Sequence, residues 1–320
     1  MYLISALFAV VVGPWSAVNS APYAAVVMDA RTGKIYHSRN ADARLHPASL
    51  TKMMTLYVAF QAIEQNEISL DSYVMVSRNA SSEPPSKLWL RKGQKIQLRY
   101  LIRAASVKSA NDAATAIGEA ISGSEAAFAK RMTRTARAMG MNRTTFKNAH
   151  GLTRSGHLST ARDMTLLGRH MIYDYPQYYN LFSRRSANAK IRRVNNTNRK
   201  FLAAYRGADG IKTGYTRAAG FNLVASAERG GERIIATMFG GSSTAARNNR
   251  VAKLLDMGFK RAPTTAKLQR PSLPPYNKNQ NEHKGKTVRL ITAVKRSLRP
   301  KVRPFTSQTT LPEPLIASTL

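Results

Sequence analysis

His46-Pro47-Ala48-Ser49-Leu50-Thr51-Lys52 is the stretch on which the reading of this chain turns. From Ser49 to about Gln65 the apolar residues recur with helical spacing, and Met53, Leu56, Tyr57, Phe60 and Ile63 share one face. Ser49 and Lys52 therefore form an S-x-x-K pair at the start of an expected helix, where residues three apart lie side by side. A serine hydroxyl is a weak nucleophile until a base takes its proton. A lysine amine can be that base when uncharged, a state favoured by burial, a neighbouring cation and the positive N-terminal end of a helix. Taken alone, the pair is also an ordinary helix start.

Outward from it, Ala24–Asp29 reads as a buried strand, Arg31-Thr32-Gly33 as a turn and Lys34–Ser38 as the returning strand of a hairpin. Helices are expected over Ala113–Ile121, Ser124–Met139 and Ala245–Met257. Another begins after Thr160, with Asp163 three residues on as in a capping box. Asp209–Gly214, Gly220–Ala227 and Arg233–Phe239 read as strands, and Thr145–Thr160 as loop. Strands at both ends with helices between them are not the alternation of a doubly wound parallel sheet. The expected fold is α/β of the α+β kind: a mostly antiparallel sheet joining N- and C-terminal strands, flanked by helices, with an inserted helical subdomain.

Two more short motifs follow in order. Ser109-Ala110-Asn111 is an S-x-N that leads into a helix, and Lys212-Thr213-Gly214 is a K-T-G on an expected strand. A hydroxyl and an amide beside the nucleophile can pass a proton and hold a substrate amide. A lysine and a threonine can hold a carboxylate by charge and hydrogen bond. A glycine lets a substrate backbone lie close to the strand. Each motif has a plain alternative: a helix cap for Ser109, a solvated strand end for Lys212, a turn for Gly214. The chain also holds imitations, Ser186-Ala187-Asn188 and Arg31-Thr32-Gly33. Ser109 is preferred to Ser186 because it lies between the other two motifs and opens a helix, whereas Ser186 sits in a very basic stretch. His150 and His157 read as loop packing, since no metal-ligand spacing surrounds them.

With the trio in that order, the chain resembles the serine-type D-alanyl-D-alanine carboxypeptidases, the low-molecular-weight penicillin-binding proteins. The resemblance runs from about Ala21 to Phe259. It also takes in Asn148-Ala149-His150-Gly151-Leu152, Ser159–Met164 and Asp209–Thr216. It implies the DD-peptidase/β-lactamase fold, with the site between sheet and helical subdomain. It implies Ser49 as nucleophile, Lys52 as its base and Ser109 as a proton relay. It further implies Asn111 orienting substrate and Lys52, Lys212 and Thr213 binding a terminal carboxylate beside Gly214, and backbone N–H groups of Ser49 and Tyr215 as oxyanion hole. The substrates implied are peptidoglycan stem peptides ending in D-Ala–D-Ala, and β-lactams would acylate the same serine. No metal or organic cofactor is implied. Class A β-lactamases need a glutamate after the S-x-N region, and no Asp or Glu occurs between Glu125 and Asp163, which argues against efficient β-lactam hydrolysis.

Among 320 residues there is no cysteine, which excludes disulfides, thiolate zinc sites and cysteine nucleophiles. The formal charge is +33, which points to a polyanionic neighbour. Residues 1–21 read as a signal peptide without a basic n-region, so the protein is expected to be exported to the periplasm or envelope. Residues 22–260 form the catalytic domain. Residues 261–320 hold eight of the fourteen prolines, 12 Lys/Arg and 2 Asp/Glu, and read as a basic, mostly disordered tail in place of the β-rich second domain many relatives carry. Within the tail, residues 287–298 place Leu290, Ile291, Val294 and Leu298 on one helical face among basic residues. Such a helix would contact an anionic membrane surface weakly; the alternative is an unfolded tail drawn to wall anions. Rival functions are a DD-endopeptidase on cross-links, an idle wall-binding module, and a nucleic-acid binder. The last is disfavoured by the leader and by the lack of a reader motif.

Overall fold

The computed structural model describes residues 21–276. The expected leader and the 287–298 helix lie outside the described residues. In chain order the elements are β1 (Ala24–Asp29), β2 (Ile35–Arg39), α1 (Thr51–Glu64), β3 (Tyr73–Met75), α2 (Arg78–Ser82), β4 (Lys95–Gln97), α3 (Leu98–Arg103), α4 (Asn111–Ser122), α5 (Glu125–Ala138), α6 (Ala161–Tyr173) and α7 (Pro176–Tyr179). After them come β5 (Ser186–Asn188), β6 (Arg193–Asn195), α8 (Arg199–Ala204), β7 (Ala208–Thr216), β8 (Gly220–Arg229), β9 (Glu232–Gly241) and α9 (Thr244–Arg261).

Five strands form one antiparallel sheet in the order β2-β1-β9-β8-β7, so the N-terminal hairpin pairs directly with the C-terminal meander, as expected. Alternate residues serve opposite faces of a strand. Ala25, Val27, Leu223, Ala225, Ile234 and Ala236 meet Val251, Leu254 and Leu255 of α9 on one side. Ala24, Val26, Val224, Ile235 and Phe239 face the larger core with Met164 and Leu167 of α6 on the other. Both faces are covered, which is why these strands read as continuous apolar runs. Gly168 lets α6 lie close: a Cβ there would stand 3.1 Å from Ile211 Cδ1. Thr160 caps α6 by accepting from Asp163 N–H, as its sequence foretold.

The helical half consists of α2 to α5 with the small β3–β4 hairpin. Here the structure departs from the expected one-sided α1. Every residue from Thr51 to Ala62 is buried, because α1 runs between α6 on the sheet side and α4 and α5 on the other and has no solvent face. Beyond α9, Arg31 donates to the carbonyls of Pro263 (2.8 Å) and Thr264, and Gln269 N–H donates to Arg31 O (2.9 Å). The first residues past the expected boundary at 260 thus lie on the β1–β2 turn. Among the described residues no helix is long and apolar enough to cross a membrane.

Candidate active site

Three separate parts of the fold bring the motifs together. Ser49 is the middle residue of a 3₁₀ turn, Ala48–Leu50, that runs into α1. Asn222 on β8 pins that turn by donating to the carbonyls of His46 (3.1 Å) and Pro47, while its own carbonyl accepts from Gly240 N–H. Strand β7 passes directly alongside. A Cβ on Gly214 would stand 3.0 Å from Pro47 O and 3.1 Å from Ser49 N, so a side chain there would push the two backbones apart by a few tenths of an ångström. Ser109 does not open a helix. It holds a left-handed conformation (φ +64°) between a π-helical turn, Ala104–Lys108, and α4, which starts at Asn111. The tight link aims Ser109 and Asn111 at two different lysines.

Lys52 is fully buried. Its Nζ lies 3.0 Å from Ser49 Oγ, 2.7 Å from Asn111 Oδ1 and 2.8 Å from the His150 carbonyl. The Asn111 amide is oriented by its Nδ2, which donates to Pro84 O (2.8 Å). Asn111 Oδ1 and the His150 carbonyl can only accept. An uncharged amine spends its two N–H groups on them and turns its lone pair to the one partner that can donate, the Ser49 hydroxyl. Burial pushes the Lys52 amine well below its ordinary range and Lys212 pushes the same way, while Glu83 and Asp112 oppose them.

Lys212 is also buried, and its Nζ donates to Ser109 Oγ (2.9 Å) and to Thr213 O (3.0 Å). Burial, with Arg247 close by, pushes its amine down to about 7. Thr213 Oγ1 donates to Thr197 Oγ1 (2.7 Å). Tyr215 lies at the rim, 56% exposed, with its ring against Phe221. A cavity of about 270 Å³ lined by Thr197, Asn198, Thr244 and Arg247 adjoins Thr213; a larger one, about 640 Å³, between α5 and the 145–155 loop, includes none of these residues.

All eight candidate residues therefore fall within one region: Ser49, Lys52, Ser109, Asn111, Lys212, Thr213, Gly214 and Tyr215. The imitations do not join them. Ser186 lies on β5, where its hydroxyl accepts from Arg193, and Arg31-Thr32-Gly33 forms the β1–β2 turn. Sequence reading missed Asn222, Arg247 and the His150 carbonyl. Asn222 left a faint trace as the polar residue in an apolar strand.

Residues 15–243 match the family described as D-alanyl-D-alanine carboxypeptidase, peptidase S11. The chain belongs to this family. It is 36% identical over 267 residues to the D-alanyl-D-alanine carboxypeptidase DacF of Bacillus subtilis, covering 82% of this chain and 66% of that protein. It is 37% identical over 241 residues to DacC of Escherichia coli, covering 73% and 60%. The chain thus spans somewhat less than two thirds of these curated relatives. Among solved structures, the S11 fold here resembles the carboxypeptidase DacD of Francisella tularensis, with a TM-score of 0.71, 35% identity, and 75% and 70% of the two chains covered. It also resembles penicillin-binding protein D2 of Listeria monocytogenes in its ampicillin-bound form, with a TM-score of 0.69, 31% identity, and 77% and 100% covered.

Proposed function

We propose that this S11 protein is a serine D-alanyl-D-alanine carboxypeptidase of the cell envelope, acting on peptidoglycan stem pentapeptides and acylated by β-lactams. The observation that carries the reading is the buried Lys52 amine, 3.0 Å from Ser49 Oγ, whose other two partners can only accept. Ser49 Oγ attacks the carbonyl carbon of the D-Ala–D-Ala bond while Lys52 takes its proton. The oxyanion faces the N–H groups of Ser49 and Tyr215; the close passage of Gly214 along Ser49 N supports that pairing. One such donor is typically worth about 10²–10³ in rate. The proton that Lys52 took is relayed through the Ser109 hydroxyl to the leaving amine, D-alanine departs, and water then hydrolyses the ester. Lys212 and Thr213 hold the terminal carboxylate, with Asn111 orienting the substrate amide.

Intact-protein mass spectrometry after penicillin treatment, alongside D-alanine release from a pentapeptide, tests this. One penicilloyl group on the Ser49 peptide is expected, with labelling and release both lost in a folded Ser49→Ala variant. Label on Ser109, or release without any adduct, refutes it.

A further inference from the structure

Behind Lys52 the fold buries a group of side chains that the reaction above leaves unused. His150 Nε2 lies 3.3 Å from Glu83 Oε2 and 3.3 Å from Glu125 Oε1. Thr115 Oγ1 donates to Glu83 Oε1 at 2.8 Å, and Ala149 N–H donates to Glu125 Oε1 at 3.1 Å. Glu83 follows α2, Glu125 opens α5, Thr115 is inside α4 and His150 is on the loop after α5, so no sequence spacing announces the group.

Two carboxylates and an imidazole are also a donor set for a divalent cation, and among the described residues this is where three such groups converge. The imidazole decides between the two uses. Leu152 N–H donates to His150 Nδ1 (3.1 Å), so Nδ1 carries the lone pair and Nε2 the hydrogen. A metal-bound imidazole shows the reverse: its second nitrogen keeps a hydrogen and donates outward. His150 therefore presents its Nε2 hydrogen to the two carboxylates.

Glu83 reaches the Lys52 amine by two routes. Its hydrogen bond to the ring fixes the residue whose carbonyl accepts from Nζ at 2.8 Å. Its chain neighbour Pro84 accepts from Asn111 Nδ2, which aims Oδ1 at Nζ. We propose that Glu83 is a positioning residue for Lys52: it fixes the two oxygens, His150 O and Asn111 Oδ1, that hold the amine. This rests on the reading of Lys52 as the base for Ser49.

The charged groups acting on the amine are Lys212 from β7, Asp112 from α4 and Glu83 itself; Glu125 sits beside Glu83 at the same imidazole nitrogen and the same Thr115 hydroxyl. Lys212 favours loss of the Lys52 proton; Glu83 and Asp112 favour its retention. Burial pushes the Glu83 carboxyl up, but its interaction with His150, then the hydrogen bond from Thr115 and the charge of Lys52, outweigh burial and hold it below its ordinary range. Glu83 is thus an anion when Lys52 is a cation.

The test is an NMR titration of the lysine Nζ signals in ¹⁵N-lysine protein, beside the pH profile of penicillin acylation. In Glu83→Gln, which removes charge at constant size, the Lys52 midpoint should fall by about half a unit or more, and the acid limb of acylation should move down with it. The Lys212 midpoint, which answers to burial and Arg247, should stay, and Glu125→Gln should leave the Lys52 midpoint in place. A part that is only structural would slow acylation without moving the midpoint. Should Glu83→Gln fail to fold, Glu83→Asp draws the charge back by one methylene and should give a smaller fall. A Lys52 midpoint that is unmoved or raised in the folded variant overturns the proposal. Absence of a penicilloyl adduct in the parent protein would instead overturn the enzymatic reading, and the titration would still decide the role of Glu83.

Discussion

Gly151 closes the Asn148-Ala149-His150-Gly151 run and lies against the backbone that carries the nucleophile. It holds φ +92°, and a Cβ there would meet Ala48 O at 1.8 Å and Thr51 Oγ1 at 2.7 Å. Real Cβ contacts stay beyond 3.0 Å, so in Gly151→Ala one backbone must retreat by about 1.2 Å. Ala48 immediately precedes Ser49 and is itself left-handed (φ +49°), so it has little room to yield. The positive φ alone costs an alanine roughly 1–2 kcal/mol, and with the clash the loss should reach about 2–4 kcal/mol. A displacement near 1 Å carries Ser49 Oγ away from Lys52 Nζ, and misplacement of that size typically lowers a rate about 10²-fold. The assay is the second-order rate of acylation by a fluorescent penicillin, read beside urea unfolding. Gly231→Ala is the control. It has φ +83° with nothing within 4 Å, so it should lose only the backbone cost, roughly 1–2 kcal/mol, and acylate normally. If Gly151→Ala acylates within about threefold of the parent, at a level the backbone cost alone explains, the argument from close approach is wrong.

Lys212, pushed to about 7, should give acylation by a carboxylate-bearing penicillin an alkaline limb near that pH, falling about tenfold per unit as the charge is lost; a rate still rising at about pH 9 refutes it. The same shift has a stability sign. Between about 7 and the ordinary 10.5 the unfolded chain binds the proton that the fold has shed, so stability rises with pH across that window. The penicilloyl adduct should outlast many turnovers of peptide substrate, because Glu83 and Glu125 are tied to His150, Thr115 and Ala149 N–H; rapid repeated penicillin hydrolysis would count against it. Arg131, about 1% exposed, pairs with both oxygens of Glu67 (2.8 and 2.6 Å), so Glu67→Ala should cost about 3–5 kcal/mol by urea unfolding.

What the sequence determined by itself was whatever a local signal can carry. Thr160 and Asp163 announce the cap of α6, the Arg31-Thr32-Gly33 turn announces its hairpin, and the apolar runs of β8 and β9 announce strands. The three motifs in order, with the family resemblance that added Tyr215, were enough to collect eight residues that the fold then brings together. Some features belong to the tertiary structure alone. Periodicity gave α1 one apolar face, because spacing reports the side chains and not how many partners surround them. Ser109 read as a helix opener, yet its left-handed link is set by the π turn before it. The interval between Glu125 and Asp163 held no acid, but Glu83 and Glu125, 42 positions apart, meet at His150. Such a meeting leaves no periodic trace. It depends on where α2, α5 and a loop end in space, and only the packed chain fixes those ends within hydrogen-bond distance of one ring.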